Sequence, residues 1–585
     1  MAVLVSPKIE LGGATLAAAW QGALLEARAE LVVSRPGRLT LRFLDPGYSL
    51  LAKGSAKLGS AITLTIPGGS SPLFEGEVTE VGCDQREGEQ PELLIVAHDQ
   101  SHRLGRMSAV TTYLNSDVET VVQGLAEAVG LSASVSGTLP KIDYLMQVDT
   151  NLGLLNELAW RTGSSWWVKS KVLHFSTPTD GTSVKLALGT TLRSFSVRAS
   201  GYHADAVTVD GWNRDEQQIV TGQASKPTKA VLASSKLADV AADPGSAYGS
   251  ATILTSSVGA KTQEEAKTLS QVLLDRQAAA SVEAWGVVDG TVSIGLLDTV
   301  DVSGAGPLSG QYPVTGVDFV YRPHRGSLLR FRCGDRWRGQ SSLVGAGGGV
   351  NGSIVSHPGL LVGQVTNIND PNNQGRVKVR FPGLSSKDES AWARLAGIGG
   401  GDKRGAVFVP EVNDEVLVAF ENGDTRLPVV IGGLYGSKSV IPTPEIQNGK
   451  VQTRALQSRL GHYIKFLDGT TPDTEAIELA LSGGKNLIHL GKDKLSLTVP
   501  SNTPFELTVG SATVSISGSG AISMKGPSIS VEANQALELK GATISIAATG
   551  SLSVQSDGST QVKGSQVQVQ SSGPAAIIGT PVQIN

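Results

Sequence analysis

The residues best suited to chemistry in this chain are few and scattered. His98 and His102 stand four apart in AHDQSHRL, the spacing at which two imidazoles on one helical turn share a metal ion. The preceding ELLIV alternates as a strand and no third ligand accompanies the pair, so both histidines are expected at a strand-end turn. Trp160, Trp166 and Trp167 have the makings of a carbohydrate platform. Trp160, however, falls on the apolar side of a predicted helix with Leu152, Leu155 and Ala159, and a strand tryptophan is expected to face it. Glu411, Asp414, Glu415 and Asp424 are carboxylates that a metal or an acid/base pair would use. They lie in turns flanking strands, where such groups solvate loops. The eight histidines are dispersed, and no Ser-His-Asp set, metal motif or phosphate loop is evident. The expectation is a non-enzymatic chain, with no catalytic residue, metal or cofactor.

Composition bounds the class. A chain of 585 residues carries several domains. Its net charge of −4 gives no electrostatic argument for nucleic acid. Glycine is abundant, at 70 residues, and charged residues are sparse at 17%, the composition of an all-β chain with many turns. Cys83 and Cys333 are too few for a disulfide framework. The start, MAVLVSPKIELGG, lacks the charged and apolar regions of a signal peptide. No apolar run approaches the roughly 20 residues that span a bilayer. Synthesis in the cytoplasm is expected, with exit from the cell as part of a larger machine or on lysis.

The elements that must position these residues read mainly as strands. Residues 1–105 hold KIELG, LLEARAELVVS, RLTLRFLD, AITLTI, PLFEGEVTEVGCD and ELLIVAHD, separated by turn clusters, and predict a first β-barrel. Residues 106–185 change character. VETVVQGLAEAVG after Ser116-Asp117 and NLGLLNELAWRTG after Asp149-Thr150 are capped helices closed by Gly130 and Gly163, followed by SSWWVKS and KVLHFST. Residues 186–340 return to strands around one helix, QEEAKTLSQVLLDRQAAAS, and predict a second barrel. VGAGGGVNGS marks a linker, placed at 341–357. Residues 358–436 predict a compact barrel of about five strands, with turns at Asn372-Asn373-Gly375 and Glu421-Asn422-Gly423-Asp424. Residues 437–484 form a neck.

From Phe505 to the end, one unit repeats: apolar, polar, apolar, then turn residues. The pairs include Leu507/Val509, Val514/Ile516, Ile522/Met524, Ile529/Val531, Leu537/Leu539, Ile544/Ile546, Leu552/Val554, Val567/Val569 and Val582/Ile584, at steps of seven and eight. Alternation puts both members of a pair on one face, and a short period of strand plus turn is the mark of a β-helix or prism. A single-chain solenoid and a prism of three intertwined chains both fit. The trimer is favoured, because each unit buries only a couple of side chains and three chains share a core and pair their edges. The needle is placed at 485–585, with Val531, Leu539, Ile546, Val554, Val562 and Val569 in the trimer core. A dozen layers at roughly 4.8 Å give a length on the order of 55 Å.

NLGLLNELAWRTGSSWWVKSKVLHF and DTVDVSG…GQYPVTGVDFVY resemble the phage tail hub family, the late control D proteins and the N-terminal part of VgrG. PEVNDEVLVAFENGD…LPVVIGGLYG resembles the OB-fold shared by phage baseplate protein V, the T4-like cell-puncturing spike and VgrG. Asn413 and Thr425 stand where glycine and proline are usual, and Asp318 where many members have histidine. The resemblance implies a mainly β architecture: two hub β-barrels with a small α/β insertion, an OB-fold barrel, and a C-terminal intertwined trimeric β-helix. It implies a spike and hub of a contractile injection system, matching a hexameric inner tube to a membrane-piercing needle. The implied partners are two further copies, a PAAR-type tip protein on Pro581, Val582, Gln583, Ile584 and Asn585, the inner tube or its initiator, baseplate components, cargo effectors and the pierced membrane. With about twenty residues between Tyr435 and Leu456 and the end at GTPVQIN, no lysozyme or fused effector domain is expected. A phage-tail-like extracellular particle is favoured over a type VI secretion system; a glycan-binding adhesin or β-helical enzyme stands further off.

Overall fold

The computed structural model describes residues 6–334, 359–442 and 446–584, apart from 55, 178, 180, 257–258 and 470–473. The linker expected at 341–357 and Asn585 lie outside the described residues. The chain divides into two compact units, 1–441 and 442–585.

Alternation builds the first unit. In Arg38–Leu44, Leu39, Leu41 and Phe43 are fully buried while Thr40 and Arg42 point outward, as a half-buried strand requires. Arg42 meets Glu92 across the neighbouring strand, Glu92–His98. Fourteen strands join in one sheet. The two barrels read from sequence are hydrogen-bonded into one another within it. Strand Gly310–Arg322 pairs with Leu24–Val32, Gly316 opposite Val32 and Tyr321 opposite Ala27. Leu39, Phe43, Tyr312, Phe319 and Phe331 fill a common core. Asp318 accepts 3.0 Å from the Arg28 guanidinium on the adjoining strand.

The α/β insertion packs helices Val118–Glu127 and Asn151–Thr162 on strands Ser165–Lys169, Val172–Ser176 and Ser132–Ser136. The Thr150 hydroxyl caps the second helix, accepting from the Gly153 amide at 3.1 Å, and Gly163 ends it at φ 67°. This helix serves two cores. Leu155 and Ala159 pack with Trp166 and Phe175, whereas Trp160 packs on the far side with Val207, Val209 and Leu269. Trp160 and Trp166 therefore belong to different cores rather than facing one another. The long helix Gln263–Ala280 lies on strands Ala206–Asn213 and Gln218–Ala224. It approaches so closely that a Cβ on Gly222 would sit 2.0 Å from the Ala266 carbonyl oxygen.

Leu361–Asn367, Lys378–Arg380, Arg394–Leu395, Glu415–Phe420 and Pro428–Gly433 form the expected five-stranded barrel sheet. Asp370 holds its first turn, accepting from the amides of Asn372, Gln374 and Arg376. Asn413 takes φ 77°, which explains why glycine suits that position.

The second unit is a series of antiparallel meanders. Thr453–Gln457, Tyr463–Asp468, Glu475–Ala480, Leu487–Gly491 and Leu495–Thr498 pair in that order, then Phe505–Val509, Ala512–Ile516 and Ile522–Lys525. The neck-to-needle boundary expected near residue 485 falls inside the hairpin that joins two of these strands.

Candidate functional site

Two arrangements carry functional weight, one in each unit. The first is the seat of the OB barrel on the hub. Strand Lys141–Gln147 of the α/β insertion contributes Tyr144 and Met146 to the barrel's own core, beside Val365, Val379, Phe381 and Phe420. The Tyr144 hydroxyl donates to the Glu389 carbonyl at 3.0 Å, and the Thr112 amide to Asp388 Oδ1 at 3.1 Å.

Beside this apolar contact the barrel's hairpin after Phe420 enters a pocket of charge. Arg426 binds Asp424 through Nη2 at 2.7 Å and hub residue Glu265 through Nη1 at 2.7 Å, and donates to the Gly259 carbonyl at 3.2 Å. Arg161, already paired with Glu157 at 2.9 Å, approaches Asp424 to 3.6 Å. Glu421 takes Arg214 of the hub at 3.0 Å and Arg394 of the barrel. The Thr425 hydroxyl donates to the Met146 carbonyl at 3.3 Å.

Burial works against the charge of Asp424, yet Arg426 and Arg161 hold its carboxyl well below the usual range. Glu265 is also drawn down against its burial, chiefly by Arg426. Lys261, desolvated and beside Arg426, falls to about 8. Arg426 and Arg161 neutralise Asp424 and Glu265 and the group exposes little to water, so the cluster positions a joint.

Asp424 thus binds arginines instead of solvating a loop as expected, and Glu421 beside it does the same. Asp414 stays in its own turn, accepting from the Glu411 amide at 2.8 Å. His98 and His102 lie at the strand end but take separate partners. His98 Nδ1 is 2.8 Å from Thr79 Oγ1, and His102 Nε2 is 2.7 Å from Glu77 Oε1. Trp166 is wholly buried and Trp167 stacks on His174 with centroids 4.9 Å apart. The three tryptophans share no face. Sequence reasoning missed Arg426 and Glu265, because their contact spans 161 positions and no local pattern links them.

The second arrangement is an uncovered apolar face. Register places Leu456, Ile464, Leu479, Ile488 and Leu497 opposite one another in one row, and Phe466, Ile477, Leu490 and Leu495 in the next. All share one side, and all but Ile464 are largely exposed in the single chain. The meander beyond continues the pattern. Leu507, Val514 and Met524 are in register, as are Phe505, Ile516 and Ile522, so the first three apolar pairs read from sequence lie on one side.

After Lys525 the described residues have no strand partner within the chain. Bends fall at 526–527, 534–535, 542, 549–550, 557–558, 565–566, 572–573 and 580–581, which is the seven-to-eight step of the repeat. Val531, Leu539, Ile546, Val554, Val562 and Val569 are 61–86% exposed. Pro581, Val582, Gln583 and Ile584 close this stretch, all exposed.

Known proteins match both halves of the first unit. Residues 32–321 fit the phage tail baseplate hub (GPD) family, and residues 361–435 the type VI secretion system/phage-baseplate injector OB domain. Together these cover more than half of the chain. The type VI secretion system spike protein VgrG5 of Pseudomonas aeruginosa is 42% identical over 78 residues, 13% of this chain and 10% of that protein. The spike protein VgrG3 of Vibrio cholerae is 37% identical over 75 residues, 12% of this chain and 7% of that one. The matched stretches thus span a tenth or less of these relatives. Among solved structures, a chain of the half-lidded Francisella PdpA-VgrG complex shares the fold with a TM-score of 0.51 at 11% identity, covering 85% of this chain and 88% of that one. With a hub module and an injector OB domain in series, the chain belongs to the VgrG and phage-tail spike-hub family.

Proposed function

We propose that the chain is the spike and hub subunit of a contractile injection system, working as a homotrimer whose action is mechanical and non-catalytic. The observation that carries this is the stretch from Gly526 to Ile584. It has bends at a fixed period, alternating apolar side chains in the open, and no strand partner within its own chain. Backbone N–H and C=O groups and Val/Ile/Leu side chains left in this state need a cover, and two further copies supply both. The open apolar rows in the sheets of residues 453–498 and 505–525 take the same cover. Three hub modules make a ring on the hexameric inner tube, the OB barrels make a collar, and the needle leads through the target membrane. A PAAR-type tip protein is the proposed cap, on Pro581, Val582, Gln583, Ile584 and Asn585. Baseplate components and cargo effectors are the remaining partners.

The test is the solution mass of the purified chain by light scattering. Three times 60.6 kDa, unchanged on dilution, is expected; a stable monomer rules out the intertwined needle. The setting is proposed as a phage-tail-like particle released from the cell. A second reading, a spike of a type VI secretion system, is favoured by the names of the relatives. Identification of the tube protein that copurifies with the assembled particle separates the two.

A further inference from the structure

A cavity of about 330 Å³ lies in the α/β insertion, along one face of helix Val118–Glu127. Ser116, Thr120, Gly124 and Ala128 line it at steps of four, so small residues follow one another along the helix and past both its ends. Val121 and Leu125, each 4% exposed, form the apolar floor. Gly124 has no role in the chain's own packing, since a Cβ there would meet nothing within 4 Å. A glycine inside a helix destabilises it relative to alanine. What the missing side chain leaves is depth in the cavity.

The other wall is polar. The Tyr113 hydroxyl, on strand Thr111–Asp117, donates to Gln147 Oε1 at 3.2 Å. Gln147 Nε2 donates to Asn151 Oδ1 at 2.7 Å and to the Asp149 carbonyl at 3.1 Å. Gln147 and Asn151 are only 3% and 7% exposed. The series of bonds stops at Asn151, which lines the cavity and whose Nδ2 has no acceptor among the described residues. A buried donor in this state needs a partner. Asn151 opens helix Asn151–Thr162, where the helix dipole also favours an acceptor. Tyr113 Oη spends its proton on Gln147 and keeps its lone pairs for an incoming donor. Burial raises the Tyr113 pKa, so the hydroxyl stays uncharged. Among the described residues no Asp, Glu, Lys, Arg or His lines the cavity. A phosphate, carboxylate or ammonium group therefore finds no anchor there, whereas a peptide group offers one acceptor and one donor without charge.

We propose that this cavity binds an uncharged peptide segment of another protein. Asn151 Nδ2 donates to a carbonyl of the segment, Tyr113 Oη accepts from an amide, and a short apolar side chain rests over Gly124 on Val121 and Leu125. The site is a property of one chain and does not rest on the proposed function.

The experiment uses the full chain with Thr120→Cys, at the exposed rim, and Cys83→Ser to remove the exposed native thiol; Cys333 is buried. Maleimide labelling of the introduced thiol is timed against labelling of free cysteine in the same buffer. The probes are N-acetyl-leucine N-methylamide and the blocked tripeptide N-acetyl-alanyl-leucyl-alanine N-methylamide, at millimolar concentration. Both should slow labelling, by about threefold at twice the Kd, and the tripeptide should do so at lower concentration. N-acetyl-leucine, which carries a carboxylate, should not slow it. No slowing by either blocked probe overturns the site, and equal slowing by N-acetyl-leucine overturns its preference for uncharged groups. A tripeptide no better than the single residue means a free small amide is the ligand, and the peptide assignment falls. A thiol that resists labelling before any probe is added means that a second copy covers the cavity, which also overturns the proposal. Gly124→Leu fills the cavity, and Asn151→Asp keeps the acceptor for Gln147 while removing the free donor. Added to the labelled chain, each should abolish the slowing with circular dichroism unchanged; slowing that survives both places the probe elsewhere and refutes the assignment. Should one of the two fail to fold, the other decides.

Discussion

At the scale of residues, charge balance in the joint sets the pH response. Lys261 faces Arg426, Asp424, Glu265 and Asp143 and titrates near 8, against an ordinary value of 10.5. Between those values the unfolded chain holds the proton and the folded chain does not, so stability rises as pH climbs from about 8 to about 10.5. The span corresponds to on the order of 3 kcal/mol. Lys261→Met should raise the melting temperature at pH 7 and flatten that rise; thermal melts at pH 7, 8.5 and 10 check both. The carboxylates act in the same direction at lower pH. Asp424 and Glu265 are held below their ordinary 3.8 and 4.5, so stability again rises with pH through that range, their contribution being present above about pH 4.5 and lost in stronger acid. Asn413 at φ 77° carries strain that glycine lacks. Asn413→Gly should stabilise the barrel by a few tenths to about 1 kcal/mol in denaturant titration.

At the scale of elements, the two sides of the sheet from Thr453 to Thr498 do different work. Lys465, Glu478 and His489 align across three strands on one side, with His489 Nδ1 3.1 Å from Glu478. The other side is apolar and open. Leu479→Glu changes an exposed position of the single chain, so it should leave circular dichroism intact. It should weaken trimer formation by about 1–3 kcal/mol per chain, read as dissociation on dilution. In the proposed trimer, Ile546→Asp places three like charges on the needle axis, at a cost on the order of several kcal/mol per chain. A trimer that survives this change with an intact, protease-resistant needle would show that Ile546 faces outward. Helix Asn151–Thr162 illustrates the limit of reading one element alone. Its period announces the helix and its caps, but both flanks are apolar, and only the fold divides Trp160 from Leu155 and Ala159.

At the scale of the whole molecule, stiffness is the property the proposed function demands, and each unit supplies it differently. In the first, Gly310–Arg322 pairs with Leu24–Val32 and welds segments nearly 300 positions apart into one sheet. Val317→Asp, at a fully buried position of that strand, should cost roughly 3–5 kcal/mol and melt hub and barrel in a single transition; separate transitions would show that the modules fold independently. In the second unit the single chain is left with bare edges and open apolar rows, and rigidity belongs to the proposed trimer.

The sequence by itself determined the mainly β character, the two helices of the insertion, the Thr150 cap and Gly163 end of the second, the five-stranded barrel and the period of the C-terminal repeat. These rest on local rules: alternation on strands, Gly and Asn at positive φ, and turn residues between short apolar pairs. The tertiary structure alone decided the joint. That Arg426 meets Glu265, that Tyr144 and Met146 complete the barrel core, and that two predicted barrels share one sheet are contacts between distant segments. Nothing in a local pattern encodes them, because buried ion pairs and strand edges are matched by geometry in space and not by spacing along the chain.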